Sequence, residues 1–148
     1  MPATDQTNIP GCACADAAVI YVCITCRRAG GIEENAEQPP GAQLAAATAR
    51  AALGLPISVR EVRCLANCSR GTSAAIRCNG SWTYVFGGLD TDCGPALVAG
   101  AQLLARAADG IMPWRDRPEV LKKTIVARIP PLGFDEADFQ KDAPKDAI

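Results

Sequence analysis

The feature that most constrains this chain is its cysteine content together with its lack of histidine. The 148 residues include eight Cys and no His. Without histidine the chain can form no Ser-His-Asp triad, no Cys-His dyad, no His-ligated zinc site and no Rieske centre. Cysteine therefore has to act without histidine, as a metal ligand, a redox thiol or a structural residue.

Four of the cysteines form two close pairs. Cys23 and Cys26 enclose two residues, and Cys64 and Cys68 enclose three. Each pair lets one loop supply two ligands at low entropic cost, and folding then brings the two loops together. This arrangement favours a four-thiolate metal site. Four sulfur ligands suit zinc and an iron-sulfur cluster alike, so the spacing does not choose the metal.

A single Cys-x-x-Cys pair is also typical of thiol-disulfide oxidoreductases, in which the pair starts a helix. Residues 27–31 (RRAGG) follow the first pair here and disfavour an immediate helix. That interpretation would also leave the second pair without a role. The metal site is therefore preferred, with an oxidoreductase dithiol on Cys23 and Cys26 kept as an alternative.

The composition favours one cytoplasmic domain. With 49% hydrophobic residues the chain can bury one ordinary core. A formal net charge of -1, from 15 basic and 16 acidic residues, favours neither a nucleic-acid nor a membrane-surface partner. Residues 1–10 do not resemble a secretion signal, and no apolar run reaches the roughly 18 residues of a membrane helix. Cytoplasmic thiols stay reduced, which favours metal binding over a disulfide framework.

The order of apolar runs and turn signals predicts an α/β fold. Residues 17–22 and 57–63 are predicted strands that end at the two cysteine pairs, and residues 42–53 form a predicted helix between them. An Asn79-Gly80 turn predicts a hairpin, and a second helix follows as far as Gly110. The predicted order is β-α-β-β-α.

A C-terminal extension is predicted to be helical from Pro118, with Leu121, Ile125 and Arg128 on one side. The expected organisation is a flexible segment 1–16, a domain 17–110, an extension 111–132 that packs on the domain or on a partner subunit, and a mobile tail 133–148. Trp114 is predicted either to anchor this segment on the domain or to contact a second copy in a homodimer.

Two stretches of the sequence resemble known families. Residues 63–84 (RCLANCSRGTSAAIRCNGSWTY) resemble the second ligand loop and hairpin of thioredoxin-like 2Fe-2S ferredoxins, a family that includes a small subunit of respiratory complex I. The matching residues are Cys64, Cys68, Gly71, Trp82 and Tyr84.

Residues 21–132, with CITCRRAG, CLANCSRG, TYVFGGL, PWRDRPE and ARIPPL, resemble a bacterial family of uncharacterised small metal-binding proteins related to those ferredoxins. The spacer of the first cysteine pair is shorter than in the ferredoxins.

The resemblance implies a thioredoxin-like ferredoxin domain with one 2Fe-2S cluster as cofactor. The implied ligands are Cys23, Cys26, Cys64 and Cys68. Such a protein would be a one-electron carrier that meets redox partner proteins, and not an enzyme. The metal-binding family keeps open a zinc-binding or iron/cobalt-handling protein that uses the same four thiolates.

The remaining cysteines are predicted to lie outside the site. Cys12 and Cys14 are expected to be exposed thiols of a flexible segment, in preference to an accessory metal-capture site. Cys78 on a strand and Cys93 at a helix start are expected to be small buried thiols. Two interpretations stay open for the basic residues near the cysteine pairs. They form either a solvated face or electrostatic support for a cluster. These residues are Arg27, Arg28, Arg63 and Arg70.

Overall fold

The computed structural model describes residues 18–25 and 39–134. These residues form five strands and three helices: β1 (Ala18–Cys23), α1 (Pro40–Ala51), β2 (Ile57–Val62), β3 (Ala74–Arg77), β4 (Thr83–Phe86), α2 (Gly94–Arg106), α3 (Glu119–Lys123) and β5 (Ile125–Ile129).

The strands form one mixed sheet in the order β2-β1-β3-β4-β5. β1 and β2 are parallel and are joined through α1, whereas β3 pairs antiparallel with both β1 and β4. A parallel βαβ unit followed by an antiparallel hairpin and a helix is the thioredoxin-like arrangement. The predicted α/β class and the order β-α-β-β-α are confirmed.

Both long helices cover the same face of the sheet. Ile20, Ile76 and Tyr84 point from this face and are fully buried in one apolar cluster with Leu44 and Leu97 from the two helices. Burying such a side chain contributes about 1.5–3 kcal/mol. The helices approach closely because Gly94 has no side chain, since a Cβ there would lie 2.8 Å from the α1 backbone.

The C-terminal extension differs from its prediction. Its helix ends at Lys123, and the chain continues as β5, which pairs antiparallel with β4. Ile125 and Arg128 have a spacing that fits a helix, but the run Thr124 to Val126 is β-branched and favours a strand. The open edge of β4 supplies hydrogen-bond partners for that run. The extension therefore completes the sheet instead of forming one longer helix.

A buried arginine fastens the start of the extension to β4. Tyr84 Oη accepts a 2.9 Å hydrogen bond from the Met112 N–H, and the guanidinium of Arg117 donates to the Met112 carbonyl at 2.6 Å. The guanidinium carbon lies 5.4 Å from the Tyr84 ring centroid and 5.0 Å from that of Trp114. Burial lowers the pKa of Arg117. Part of the PWRDRPE motif therefore serves the packing of this segment.

Within the described residues no helix is long and apolar enough to cross a membrane. The predicted flexible segment 1–16 lies outside the described residues, as does the predicted mobile tail from residue 135 onward. At the start of that predicted tail, the ring of Phe134 lies edge-on to Trp82 with a centroid separation of 5.3 Å.

Candidate metal centre

Cys23 is the last residue of β1 and lies beside the end of β2. Its register partner on β2 is Val62, and its N–H donates a 3.0 Å hydrogen bond to the carbonyl of Ser73. The side chain is 1% exposed, and its Sγ lies 3.8 Å from the carbonyl oxygen of Arg63. Cys23, the first predicted ligand, therefore lies against Arg63, the residue directly before Cys64.

A threonine between the first two cysteines joins the two loops directly. Thr25 Oγ1 donates a 2.6 Å hydrogen bond to the carbonyl oxygen of Arg63, the residue before Cys64. The Ile24 N–H also bonds the carbonyl of Val62 at 2.9 Å. The chain that leaves β1 is therefore attached to the chain that leaves β2.

The second cysteine pair lies in an exposed loop with a specific backbone conformation. Ala66 has φ 59°, a left-handed conformation that a residue with a Cβ seldom adopts. Its N–H donates a 3.2 Å hydrogen bond to Cys64 Sγ. Such a bond stabilises negative charge on a ligand sulfur. Cys68 opens a 3-10 turn, Cys68–Arg70, and is exposed like Cys64.

Two polar side chains and two glycines hold this loop against the sheet. Asn67 Nδ2 donates to Ser73 Oγ at 2.9 Å, and that hydroxyl donates to the Gly71 carbonyl at 2.8 Å. Gly71 has φ 85° and ψ -152°, a region that is almost confined to glycine. At the end of β4, a Cβ on Gly87 would lie 2.6 Å from Asn67 Nδ2 and 3.0 Å from Arg70 Cβ.

The structure thus brings Cys23 and the loop of Cys64 and Cys68 to one end of the sheet. All three carry reduced thiols. Within residues 18–25 and 39–134, no three Cys, Asp or Glu side chains are grouped closely enough to hold a metal ion. The fourth predicted ligand, Cys26, lies outside the described residues. The donor set fits the chemistry of zinc and of iron-sulfur clusters, both of which accept sulfur ligands alone.

The other two described cysteines are Cys78 and Cys93, neither of which is a predicted ligand. Cys93 is the buried N-cap of α2, as predicted, and its sulfur accepts a 3.4 Å hydrogen bond from the Asp90 N–H. Burial raises the pKa of the Cys93 thiol. Cys78 follows β3 at the opposite end, and it is disulfide-bonded. The prediction of a reduced thiol at Cys78 is wrong, and its partner lies outside the described residues.

Sequence reasoning missed the residues that position the loops. In the sequence, only the position of Thr25 between two cysteines pointed to its role. Nothing in the sequence indicates that Ala66 adopts a left-handed conformation. The Gly87-Gly88 pair was a visible signal of close backbone approach. Of the four predicted basic neighbours, Arg63 and Arg70 are exposed near the cysteines, and Arg27 and Arg28 lie outside the described residues.

The fold and these cysteines define an α/β domain of thioredoxin-like topology with a candidate thiolate site at the ends of its parallel strands. Residues 20–131 match the model of a family described as "Protein of unknown function (DUF1636)", and the chain belongs to that family. No curated protein matches the sequence.

A solved structure with a related topology is that of a thioredoxin-like [2Fe-2S] ferredoxin from Aquifex aeolicus. It is 11% identical, with a TM-score of 0.48, and the alignment covers 82% of this chain and 100% of that chain. This likeness is distant and does not make the chain a member of the ferredoxin family.

Proposed function

We propose that this protein binds one 2Fe-2S cluster on Cys23, Cys26, Cys64 and Cys68 and carries single electrons between redox partner proteins. The observation that supports the proposal most is the junction of the two cysteine loops. They leave adjacent parallel strands at the same end of the sheet, and the hydrogen bond from Thr25 to Arg63 fastens them together.

The chain's own residues suit the task of holding a charged sulfur-ligated group. A bound 2Fe-2S cluster supplies one-electron redox chemistry. Cys23 would provide a buried ligand at the end of β1, and the Ala66 N–H directs its dipole at the sulfur of Cys64. Cys64 and Cys68 are exposed, and this exposure supports a site that a redox partner would approach from the side of the second loop.

The two alternatives share residues with this proposal but differ in what they require. A zinc-binding or iron/cobalt-handling protein would use the same four thiolates and would contain no sulfide. A thiol-disulfide oxidoreductase would need an accessible nucleophile on the first pair. Cys23 is 1% exposed, which suits a ligand better than a nucleophile.

The deciding experiment is elemental and spectroscopic analysis of protein purified without oxygen. The expected result is two irons and two acid-labile sulfides per chain, a visible spectrum that bleaches on reduction, and an electron paramagnetic resonance signal only in the reduced state. Stoichiometric zinc without sulfide would contradict the cluster and support the metal-handling alternative. A metal-free protein that turns over disulfide substrates would support the oxidoreductase.

A further inference from the structure

Among the described residues, the two long helices cover one face of the sheet and leave the other face open. Ile20 and Ile76 point toward the helices. Because side chains alternate along a strand, Val19, Tyr21 and Arg77 lie on the opposite face. Val19 and Tyr21 are partly exposed and Arg77 is exposed. We call this surface the open face.

The strand register arranges the open face in two rows of side chains that run across all five strands. The row closer to the cysteine loops contains Arg60, Tyr21, Ala75, Val85 and Ala127. The row further from those loops contains Ser58, Val19, Arg77, Thr83 and Ile129. A groove of ≈ 580 Å³ lies along this second row. The charged residues of the two rows are Arg60 and Arg77, so exposed cations lie on a surface that is otherwise uncharged.

The open face continues into the candidate metal centre. Cys23 is two residues after Tyr21 in β1 and therefore lies on the same face. Its N–H bonds the carbonyl of Ser73, whose hydroxyl accepts a 2.9 Å hydrogen bond from Asn67 Nδ2 in the second cysteine loop. That loop also carries the exposed Arg70. A protein that docks on the open face therefore also meets the loop that bears the exposed thiols.

Among the described residues, the open face and the adjoining loop carry positive charge without acidic partners. Arg60, Arg70 and Arg77 form no ion pair with any described residue. Glu61 pairs with Val22, whose side chain belongs to the face that the helices cover. The other described acidic residues lie around α2 and α3, on the helical side of the sheet: Asp90, Asp92, Asp109, Asp116 and Glu119.

This distribution of charge and side-chain type favours one class of partner. A second copy that docked face to face would bring Arg60 and Arg77 close to the same cations of its partner, which is unfavourable. Single-stranded nucleic acid is bound on several stacking aromatic side chains, whereas Tyr21 is the one aromatic residue in the two rows. An acidic protein complements both the cations and the small apolar side chains between them.

We propose that the open face docks an acidic redox protein. This inference rests on the proposed electron-carrier function and adds the chemistry of the partner. Carboxylates of the partner pair with the guanidinium groups of Arg60, Arg70 and Arg77, and the apolar side chains between them lose water on contact. Exposed ion pairs of this kind increase the rate of association more than the affinity, and salt screens them. The complex is therefore short-lived and sensitive to ionic strength.

Docking is tested by nuclear magnetic resonance of the isotope-labelled full chain, purified with its metal. The probe is an oxidised flavodoxin, a small acidic one-electron carrier, and cytochrome c, a small basic carrier, is its control. Flavodoxin should shift the methyl signals of Val19, Val85 and Ile129 and leave those of Leu103 and Val120 on the helical side unchanged. Its affinity should fall about threefold or more at about 0.15 M salt, where the Debye length is about 8 Å. Cytochrome c should shift none of these signals.

The contribution of the arginines is tested with matched variants. Arg60→Gln and Arg77→Gln should each weaken flavodoxin binding about twofold or more, because each removes one cation from the open face. Arg50→Gln and Arg106→Gln remove exposed cations from the ends of α1 and α2 and should leave binding unchanged. Equal weakening by both pairs, or shifts confined to Leu103 and Val120, would overturn the proposal.

Other ligands and the metal content separate this proposal from the proposed function. Cytochrome c or a single-stranded oligonucleotide that shifts the methyl signals of the open face as strongly as flavodoxin does would also overturn it. Binding is measured without electron transfer. A zinc-containing protein that binds flavodoxin on the open face would keep the docking surface and contradict the electron carrier. A protein with a cluster but without these shifts would do the reverse.

Discussion

Thr25 Oγ1 donates a 2.6 Å hydrogen bond to the main-chain carbonyl oxygen of Arg63, and this bond joins the chain after β1 to the chain after β2. A neutral hydrogen bond of this kind contributes about 0.5–1.5 kcal/mol. We expect Thr25→Val, which keeps the shape and removes the donor, to lower the free energy of unfolding by about 1 kcal/mol and to speed metal loss to a chelator. Thr25→Ser keeps a hydroxyl and is the matched control. Identical urea curves and release rates for both variants would contradict a bridging role.

A second prediction concerns the contact between Gly87 and the second ligand loop. A Cβ at Gly87 would lie 2.6 Å from Asn67 Nδ2 and 3.0 Å from Arg70 Cβ, so Gly87→Ala displaces the Asn67 side chain from its place and crowds the loop at Arg70. Overpacking of this kind costs about 1–3 kcal/mol. Metal loss should accelerate with the fall in stability.

The control for that contact is a double-mutant cycle with Asn67→Ala, which removes the nearest atom. The two substitutions should be less than additive in urea unfolding, because the double variant no longer contains that clash. Strict additivity would show that the destabilisation by Gly87→Ala does not arise from its contact with Asn67.

The ligand assignment predicts a sharp division among cysteine variants. Serine at Cys23, Cys26, Cys64 or Cys68 should abolish or shift the visible spectrum and reduce iron and sulfide content. Cys93→Ser is the matched control, because Cys93 is a described, reduced thiol that lies buried at the start of α2. Retention of the wild-type spectrum after replacement of Cys23 would remove the first ligand loop from the site.

The basic residue closest in sequence to Cys68 is expected to tune the reduction potential. Reduction adds a negative charge, and the cation of Arg70 favours that state. Arg70 is exposed, so its contribution should be about 0.2–1 kcal/mol, or about 10–40 mV for one electron. Arg70→Gln should lower the potential by that amount at low salt. Arg77→Gln changes an exposed arginine at the opposite end of the sheet and should leave the potential unchanged. Equal potentials for both variants would make Arg70 part of a solvated face.

The buried thiol of Cys93 predicts a change of stability at alkaline pH. Burial raises its pKa, so the folded state prefers the neutral thiol more strongly than the unfolded state does. The resulting stabilisation is complete below the unfolded thiol pKa, about 8.5, and is lost as pH rises through the folded value. The free energy of unfolding of Cys93→Ala should therefore fall less steeply above about pH 8.5 than that of wild type. Parallel pH profiles would contradict this assignment.

Much of the fold was predictable because local and tertiary preferences agree. β1 is a short apolar run that ends at Cys23, β2 (ISVREV) is rich in β-branched residues and ends two residues before Cys64, and the Asn79-Gly80 turn separates the strands of the hairpin. β5 was missed because Ile125 and Arg128 repeat with helical spacing. The helical preference of this segment is weaker than its preference for hydrogen bonding to the open edge of β4. That edge exists only once the sheet has assembled.

From the sequence, the site could be predicted only to the extent that two strands were expected to end close together at the cysteine pairs. Sequence spacing indicated that Cys23 and Cys64 would approach each other, but the left-handed backbone of Ala66 arises from the folded loop and its hydrogen bonds. The disulfide of Cys78 was missed for a related reason. The partner of Cys78 is distant in sequence. Because cytoplasmic thiols were expected to be reduced, no disulfide was predicted.

The parallel register of β1 on β2 also has a consequence for how relatives of this chain can vary in length. Cys23 lies opposite Val62 because of strand pairing, whatever the length of the connection through α1. Insertions or deletions between Thr25 and Pro39 would therefore leave the separation of Cys23 and Cys64 unchanged. A single residue inserted within either strand would shift the register and turn the cysteine to the other face of the sheet. Family members should accordingly differ in length in that connection while both strands keep a constant length up to their cysteines.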